Sequence, residues 1–157
     1  MLFRKKENKL LAVADGNAVA LSEVPDEAFA SGLLGVGFAI EPTFGKILSP
    51  IDGTLQAISE SRHAYTIQSE DGLDILVHIG IDTVELKGEG FVCHPCVGDT
   101  LRTGDPLATV DLDLLKKKGY PTVIPVLITN PDRLDKIDFT YGRVLGGKSE
   151  VVRYRLS

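Results

Sequence analysis

Tryptophan is absent from the 157-residue chain, methionine occurs once, cysteine twice, and aromatic residues make up only 6%. So sparse an aromatic set offers no platform on which nucleic-acid bases could stack. Two cysteines are too few for the disulfide framework of a small secreted domain. No apolar run approaches the roughly 18 residues of a membrane-spanning helix. The N-terminus, Met1-Leu2-Phe3-Arg4-Lys5-Lys6, lacks the apolar stretch and cleavage site of a secretory signal. A basic excess is missing as well. Seventeen Lys and Arg stand against 22 Asp and Glu, a net charge of −5, whereas a nucleic-acid binder needs a basic footprint. The expectation is a cytoplasmic protein with no nucleic-acid partner.

What is present is ordinary for a globular protein: 43% hydrophobic and 25% charged residues, with 16 Gly and 8 Pro. The length suits one domain, drawn over residues 10–157. Residues 1–9, with Arg4, Lys5, Lys6 and Lys9, read as a solvated tail that would give at most weak membrane contact. Short β-prone runs cut by turn residues fill the rest: Leu10–Val13, Ala18–Val24, Phe38–Ile40, Lys46–Leu48, Gly53–Ile58, Val123–Thr129 and Val151–Leu156. Asp15-Gly16 is a hairpin signal. Pro25 to Phe29 looks like one helical turn, and Leu112–Lys118 like a short helix stopped by Gly119. Two turn–strand units resemble each other, Ser49–Leu55 and Val97–Leu107. These elements predict one all-β domain, an antiparallel sandwich or barrel with a few short helices.

The informative segment is His63 to Gly80. Asp71-Gly72 between two β-prone runs predicts a two-residue hairpin turn. Glu70 then pairs with Leu73, Tyr65 lies opposite His78, and His63 opposite Gly80. In that register His63, Tyr65 and Ile67 share a face with Leu76 and His78, while Ala64, Thr66, Val77 and Ile79 point into the core. The two histidines become diagonal neighbours. Three uses are open to such a pair. It can be a merely hydrogen-bonded structural pair, a metal site completed by a third ligand such as Asp82, or a phosphoryl-transfer site. In the last, a neutral imidazole attacks phosphorus through one nitrogen while its other N–H is held, and the second histidine hydrogen-bonds the phosphoryl oxygens.

The run from Leu76-Val77-His78-Ile79-Gly80-Ile81-Asp82 to Phe91 resembles the signature of the glucose-type enzyme IIA component of the bacterial sugar phosphotransferase system. Ser22–Phe29, Gly35–Pro42, Ser49–Thr54, Ser61–Ala64, Val97–Leu107 and Thr122–Asn130 resemble the matching family segments. The resemblance implies an antiparallel β-sandwich built on a duplicated hybrid motif. It implies a phosphotransferase with no cofactor, in which His78 is the phosphorylated nucleophile, attacking through Nε2, and His63 hydrogen-bonds the phosphoryl group. Supporting positions would be Ser61 (orienting His63), Gly80 (its carbonyl fixing the His78 tautomer), Asp82 and Val84. The donor would be the phosphocarrier protein HPr, the acceptor a cysteine of an enzyme IIB domain of a sugar permease, with regulatory protein targets also open. No metal is required, though a histidine pair of this family can capture incidental zinc at His63 and His78. Gly35-Val36-Gly37 departs from the family's usual Gly-Asp-Gly, so Val36 removes an acid from the donor-facing rim.

Cys93-His94-Pro95-Cys96 has redox or zinc spacing, but lacks a second ligand pair or a βαβ context, and reads as incidental. A biotinyl or lipoyl carrier domain shares the half-turn motifs but needs a lysine at the hairpin tip, where this chain has Glu70-Asp71-Gly72. A metallohydrolase using His63, His78 and Asp82 would need His-x-Asp or His-x-His motifs that the chain does not contain.

Overall fold

The computed structural model describes residues 8–157. β1 (Asn8–Leu11) and β2 (Gly16–Ala20) lead through a 3-10 turn at Leu21–Glu23 to helix α1 (Glu27–Ala30). Strands β3 (Val36–Pro42), β4 (Lys46–Leu48), β5 (Gly53–Ile58), β6 (Ala64–Ser69) and β7 (Asp74–His78) follow, then a 3-10 turn at Thr83–Leu86. Strands β8 (Phe91–Cys93), β9 (Thr100–Leu101) and β10 (Pro106–Val110) precede helix α2 (Leu112–Lys117). The remaining strands are β11 (Ile124–Ile128), β12 (Leu134–Phe139), β13 (Gly142–Val144) and β14 (Glu150–Leu156).

An eight-stranded sheet in the order β13-β2-β3-β11-β7-β6-β5-β9 is joined by two three-stranded sheets, β1-β14-β12 and β4-β10-β8. Every described pairing is antiparallel. This is the expected all-β sandwich. The two similar turn–strand units pair with each other: Gly53 faces Leu101 and Thr54 faces Thr100 across β5 and β9. The Asp52 carboxylate accepts from the Thr103 N–H at 2.7 Å.

The two faces of the large sheet are packed unequally. One face carries Ala18, Phe38, Ile40, Leu55, Tyr65, Ile67, Ile75, Val77, Ile124, Val126 and Ile128 into the main core. The other carries Val19, Ala39 and Leu127, covered by Leu21, Val24, Phe29 and Ile81, into a small second cluster against which Leu76 packs. Period-two alternation along β2, β3, β7 and β11 produces both sets from the same strands.

Three expectations change. Asp15-Gly16 does not close a hairpin, because β1 pairs with β14 whereas β2 pairs with β3 and β13. Gly16 is there for close approach: a Cβ would lie 2.0 Å from the Glu41 carbonyl oxygen. The run Ala18–Val24 is a strand only to Ala20, since Leu21–Glu23 turns and caps the second cluster. Asn8 and Lys9, read as part of a solvated tail, belong to β1. Lys9 lies in β1 opposite Arg153, with its ammonium 2.7 Å from Glu150. Arg4, Lys5 and Lys6 lie outside the described residues, and so does the membrane-contact reading that rested on them.

The two helices form where expected. Asp26 caps α1 by accepting from Ala28 N–H, and Asp111 caps α2 by accepting from Leu114 N–H. Gly119 follows α2 at φ +84°, the left-handed residue that ends it. Among the described residues no helix is long and apolar enough to cross a membrane.

Candidate active site

The hairpin between β6 and β7 is one residue out of the expected register. Ala64 faces His78, Tyr65 faces Val77, and Ile67 faces Ile75. Its loop has three residues, Glu70-Asp71-Gly72, not two. Ser69 N–H donates to the Leu73 carbonyl at 2.8 Å, and Gly72 takes φ +93°, the left-handed position of a three-residue hairpin. The Ser69 hydroxyl accepts from Leu73 N–H, and the Asp71 carboxylate accepts from Tyr154 Oη at 2.7 Å and Asn8 Nδ2 at 3.0 Å. The two Asp71 contacts come from distant strands, and a local turn signal does not contain them. The slip exchanges the faces of β6 and leaves those of β7 as expected. Tyr65, Ile67, Val77 and Ile79 are fully buried in the main core, while His78 shares the opposite face with Leu76 and Ala64.

His63 and His78 nevertheless meet. Their ring centroids are 4.9 Å apart and nearly perpendicular, at 87°. His63 stands one residue before β6, after a tight turn in which Arg62 N–H donates to the Ser59 carbonyl and Arg62 takes φ +61°. Strict alternation belongs to extended backbone, and this turn lies outside it. The His63 carbonyl still accepts from Ile79 N–H at 2.7 Å, tying the turn to the end of β7.

The two rings are held in opposite ways. His78 Nδ1–H donates to the Gly80 carbonyl at 2.8 Å, which leaves Nε2 with its lone pair. Gly80 presents that carbonyl at φ +78°, and a Cβ there would lie 2.5 Å from Thr83 Cγ2. For His63 the partner is Ser59. The Ser59 hydroxyl oxygen accepts from the backbone N–H of His63 at 3.1 Å and of Ala64 at 3.0 Å. Its own hydrogen is then directed to His63 Nδ1, at 3.1 Å. A hydroxyl has two lone pairs and one hydrogen; with both lone pairs taken by N–H groups, His63 Nδ1 is the acceptor and Nε2 bears the proton. Ser61, expected to orient His63, does not. Its hydroxyl donates to the Val84 carbonyl at 3.4 Å, because the turn folds Ser59 back onto the ring and aims Ser61 at the 3-10 segment.

Burial keeps both rings neutral. It lowers the His63 pKa from 6.5 to about 4, with a further contribution from neighbouring His78. The His78 pKa is also lowered by burial, opposed by the Gly80 carbonyl and by the fields of Asp26 and Asp82. Asp82, at φ +60°, is exposed beside the site. The Phe29 ring lies 4.9 Å from the His78 ring, tilted by 55°. Val84, whose carbonyl accepts from Ser61, is 52% exposed.

Ser59, Asp26 and Phe29 are therefore site residues that motif reading passed over. The helical turn Pro25–Phe29 was legible, but its place beside His78 was not. Val36 opens β3 opposite Ile128 and is half-buried. Among the described residues no three His, Cys, Asp or Glu side chains converge on a metal position.

A neutral imidazole with a free Nε2, beside a second neutral imidazole with a donating Nε2–H, forms a site for nucleophilic chemistry on an anionic group. Comparison with known proteins bears on that class. Residues 8–134 match the family described as the phosphoenolpyruvate-dependent sugar phosphotransferase system, EIIA 1. The chain is 38% identical over 156 residues to the PTS system glucose-specific EIIA component of Haemophilus influenzae, covering 96% of this chain and 94% of that one. It is 40% identical over 154 residues to the PTS system glucose-specific EIICBA component of Streptococcus pneumoniae. That match covers 98% of this chain and 21% of the relative, so the chain spans about a fifth of that longer relative. The solved glucose permease IIA from Mycoplasma capricolum superimposes with a TM-score of 0.86 at 35% identity, over 97% of this chain and 99% of that one. The chain belongs to the EIIA family of the phosphoenolpyruvate-dependent sugar phosphotransferase system.

Proposed function

We propose that the chain is a histidine phosphocarrier in which His78 Nε2 takes a phosphoryl group from phospho-HPr and passes it to a cysteine of an enzyme IIB domain. The observation that carries this reading is how the two rings are held: His78 Nδ1 lies 2.8 Å from the Gly80 carbonyl and His63 Nδ1 3.1 Å from the Ser59 hydroxyl, which leaves His78 a lone pair at Nε2 and His63 a proton at Nε2. Nε2 of His78 attacks phosphorus as the donor's P–N bond breaks, and the His63 Nε2–H stabilises the phosphoryl oxygens. In the second step the thiolate of the acceptor attacks, the bond to His78 Nε2 breaks, and the ring returns to its neutral form with Nδ1–H still on the Gly80 carbonyl. Little covalent work falls to the protein beyond positioning and electrostatics.

The surroundings fit two protein partners in turn. Val84 supplies exposed apolar surface, and Asp26 and Asp82 supply acidic groups toward a basic donor. The relatives named EIICBA and EIIBCA carry an A unit together with B and C units in one protein, which supports an enzyme IIB domain as acceptor. On this reading the protein works in the cytoplasm. Incubation with phosphoenolpyruvate, enzyme I and HPr tests it. The expected result is acid-labile label on His78, lost in His78→Ala. Label surviving that substitution contradicts the assignment.

A further inference from the structure

The phosphoryl chemistry makes no use of Cys93 and Cys96. Cys93 closes β8 and Cys96 lies three residues on, past the bend at Pro95. Both thiols are free, Cys93 half-buried and Cys96 exposed. The Cys93 thiol donates to the Pro95 carbonyl at 3.3 Å. That carbonyl belongs to the peptide joining Pro95 to Cys96, so the sulfur already leans over the residue it would bond. The bend is held from outside the thiols. His94 N–H donates to the Leu107 carbonyl at 3.0 Å, and Cys96 N–H to the Asp99 carboxylate at 2.9 Å.

Two further observations define the chemistry. The His94 imidazole is engaged with Thr109, Nε2 to Oγ1 at 2.8 Å, and no third ligand converges on the thiols among the described residues. A pair of sulfurs alone does not build a tetrahedral zinc site, which leaves thiol chemistry. The Tyr65 phenol, fully buried in the core, neighbours Cys93, and burial together with that thiol pushes its ionisation up.

We propose that Cys93 and Cys96 are a redox-active dithiol that closes to an internal disulfide when it meets a low-molecular-weight disulfide such as oxidised glutathione. Exposed Cys96, as its thiolate, attacks one sulfur of the oxidant and releases one glutathione thiolate, leaving a mixed disulfide. The Cys93 thiolate then attacks the Cys96 sulfur and releases the second. The dithiol loses two electrons and two protons, and the oxidant becomes two thiols. Cys96 is the entry point because it is exposed, and Cys93 resolves because it is the less exposed thiol and already reaches the carbonyl of the Pro95–Cys96 peptide.

The test uses the full reduced chain in glutathione buffers of increasing oxidised fraction, quenched in acid, alkylated and weighed intact. The expected product is a monomer lighter by two hydrogens, with neither thiol alkylated, returning fully to the dithiol on reduction. Cys93→Ser should stop at a glutathione adduct on Cys96, and Cys96→Ser should form its adduct on Cys93 more slowly. The proposal is overturned if the wild-type chain stops at glutathione adducts, links into dimers, or keeps both thiols alkylatable in the most oxidising buffer. No phosphoryl transfer enters the measurement, so its failure leaves the histidine reading standing.

Discussion

The two faces of the eight-stranded sheet use the same strands for different ends. On β7, Ile75 and Val77 are fully buried in the main core. Leu76 and His78, the residues between and after them, look out on a cluster of seven buried residues that ends at the surface. The main face is apolar and closed, so its side chains contribute stability through burial and packing. The small face leaves a half-buried imidazole at its margin, held by one backbone carbonyl and one aromatic ring. Neighbouring residues of one strand thereby separate folding from chemistry. Substitutions on the two faces should fail in different assays.

The sharpest break in that comparison is the pair His78→Gln and Ile75→Ala. The first should lower phosphoryl acceptance at least about 10³-fold while leaving the urea midpoint near the wild-type value. The second should cost about 2–5 kcal/mol of stability and leave acceptance by the folded fraction intact. An Ile75→Ala chain that folds normally but no longer accepts would merge the two faces.

Next in size is a pH effect that comes from the small face. His63 has a folded pKa of about 4 against an ordinary 6.5. Between those values the unfolded chain binds a proton that the folded chain refuses. The stability is therefore complete above pH 6.5 and falls as pH drops toward 4, by on the order of 3 kcal/mol. The lowered pKa of His78 acts in the same direction. Urea melts at stepped pH should show the slope, and His63→Gln should flatten it. An unchanged slope in that variant would place the effect elsewhere.

Gly80→Ala should come third. The added Cβ meets Thr83 Cγ2 at 2.5 Å on a residue at φ +78°, so the turn must move and carry the Gly80 carbonyl with it. A loss of about 1–3 kcal/mol in stability should accompany slower acceptance. The smallest expected effect separates two serines. Ser59→Ala removes the group on His63 Nδ1 and should slow onward transfer by about fivefold, worth roughly 1 kcal/mol. Ser61→Ala should change it little, since the Ser61 hydroxyl donates to the Val84 carbonyl, at 3.4 Å, and not to His63. The reverse ranking would restore Ser61 to the place the family resemblance gives it.

Much of this molecule was legible before its structure. β4 and β5 lie where short β-prone runs predict them, at Lys46–Leu48 and Gly53–Ile58, and α2 ends at a glycine stop. His63 and His78 were picked out as a pair, and they are one. The route to that pairing was wrong by one residue, because Tyr154 and Asn8 reach in to hold Asp71 and lengthen the loop. The pairing survives because the turn at Arg62 takes His63 out of strand alternation. What stayed illegible depends on chain reversals and distant contacts: Ser59 folded back over the imidazole, Phe29 laid on His78, and β1 carried away from β2 to β14. Local pattern describes a strand, but it does not say which neighbour the strand will find.

The central claim is that the two imidazoles hold opposite tautomers. Two-bond ¹⁵N–¹H correlation spectra of the unphosphorylated chain at neutral pH test it directly. The account predicts a neutral His78 protonated at Nδ1 and a neutral His63 protonated at Nε2. The same tautomer on both rings, or a protonated cation on either, would contradict it.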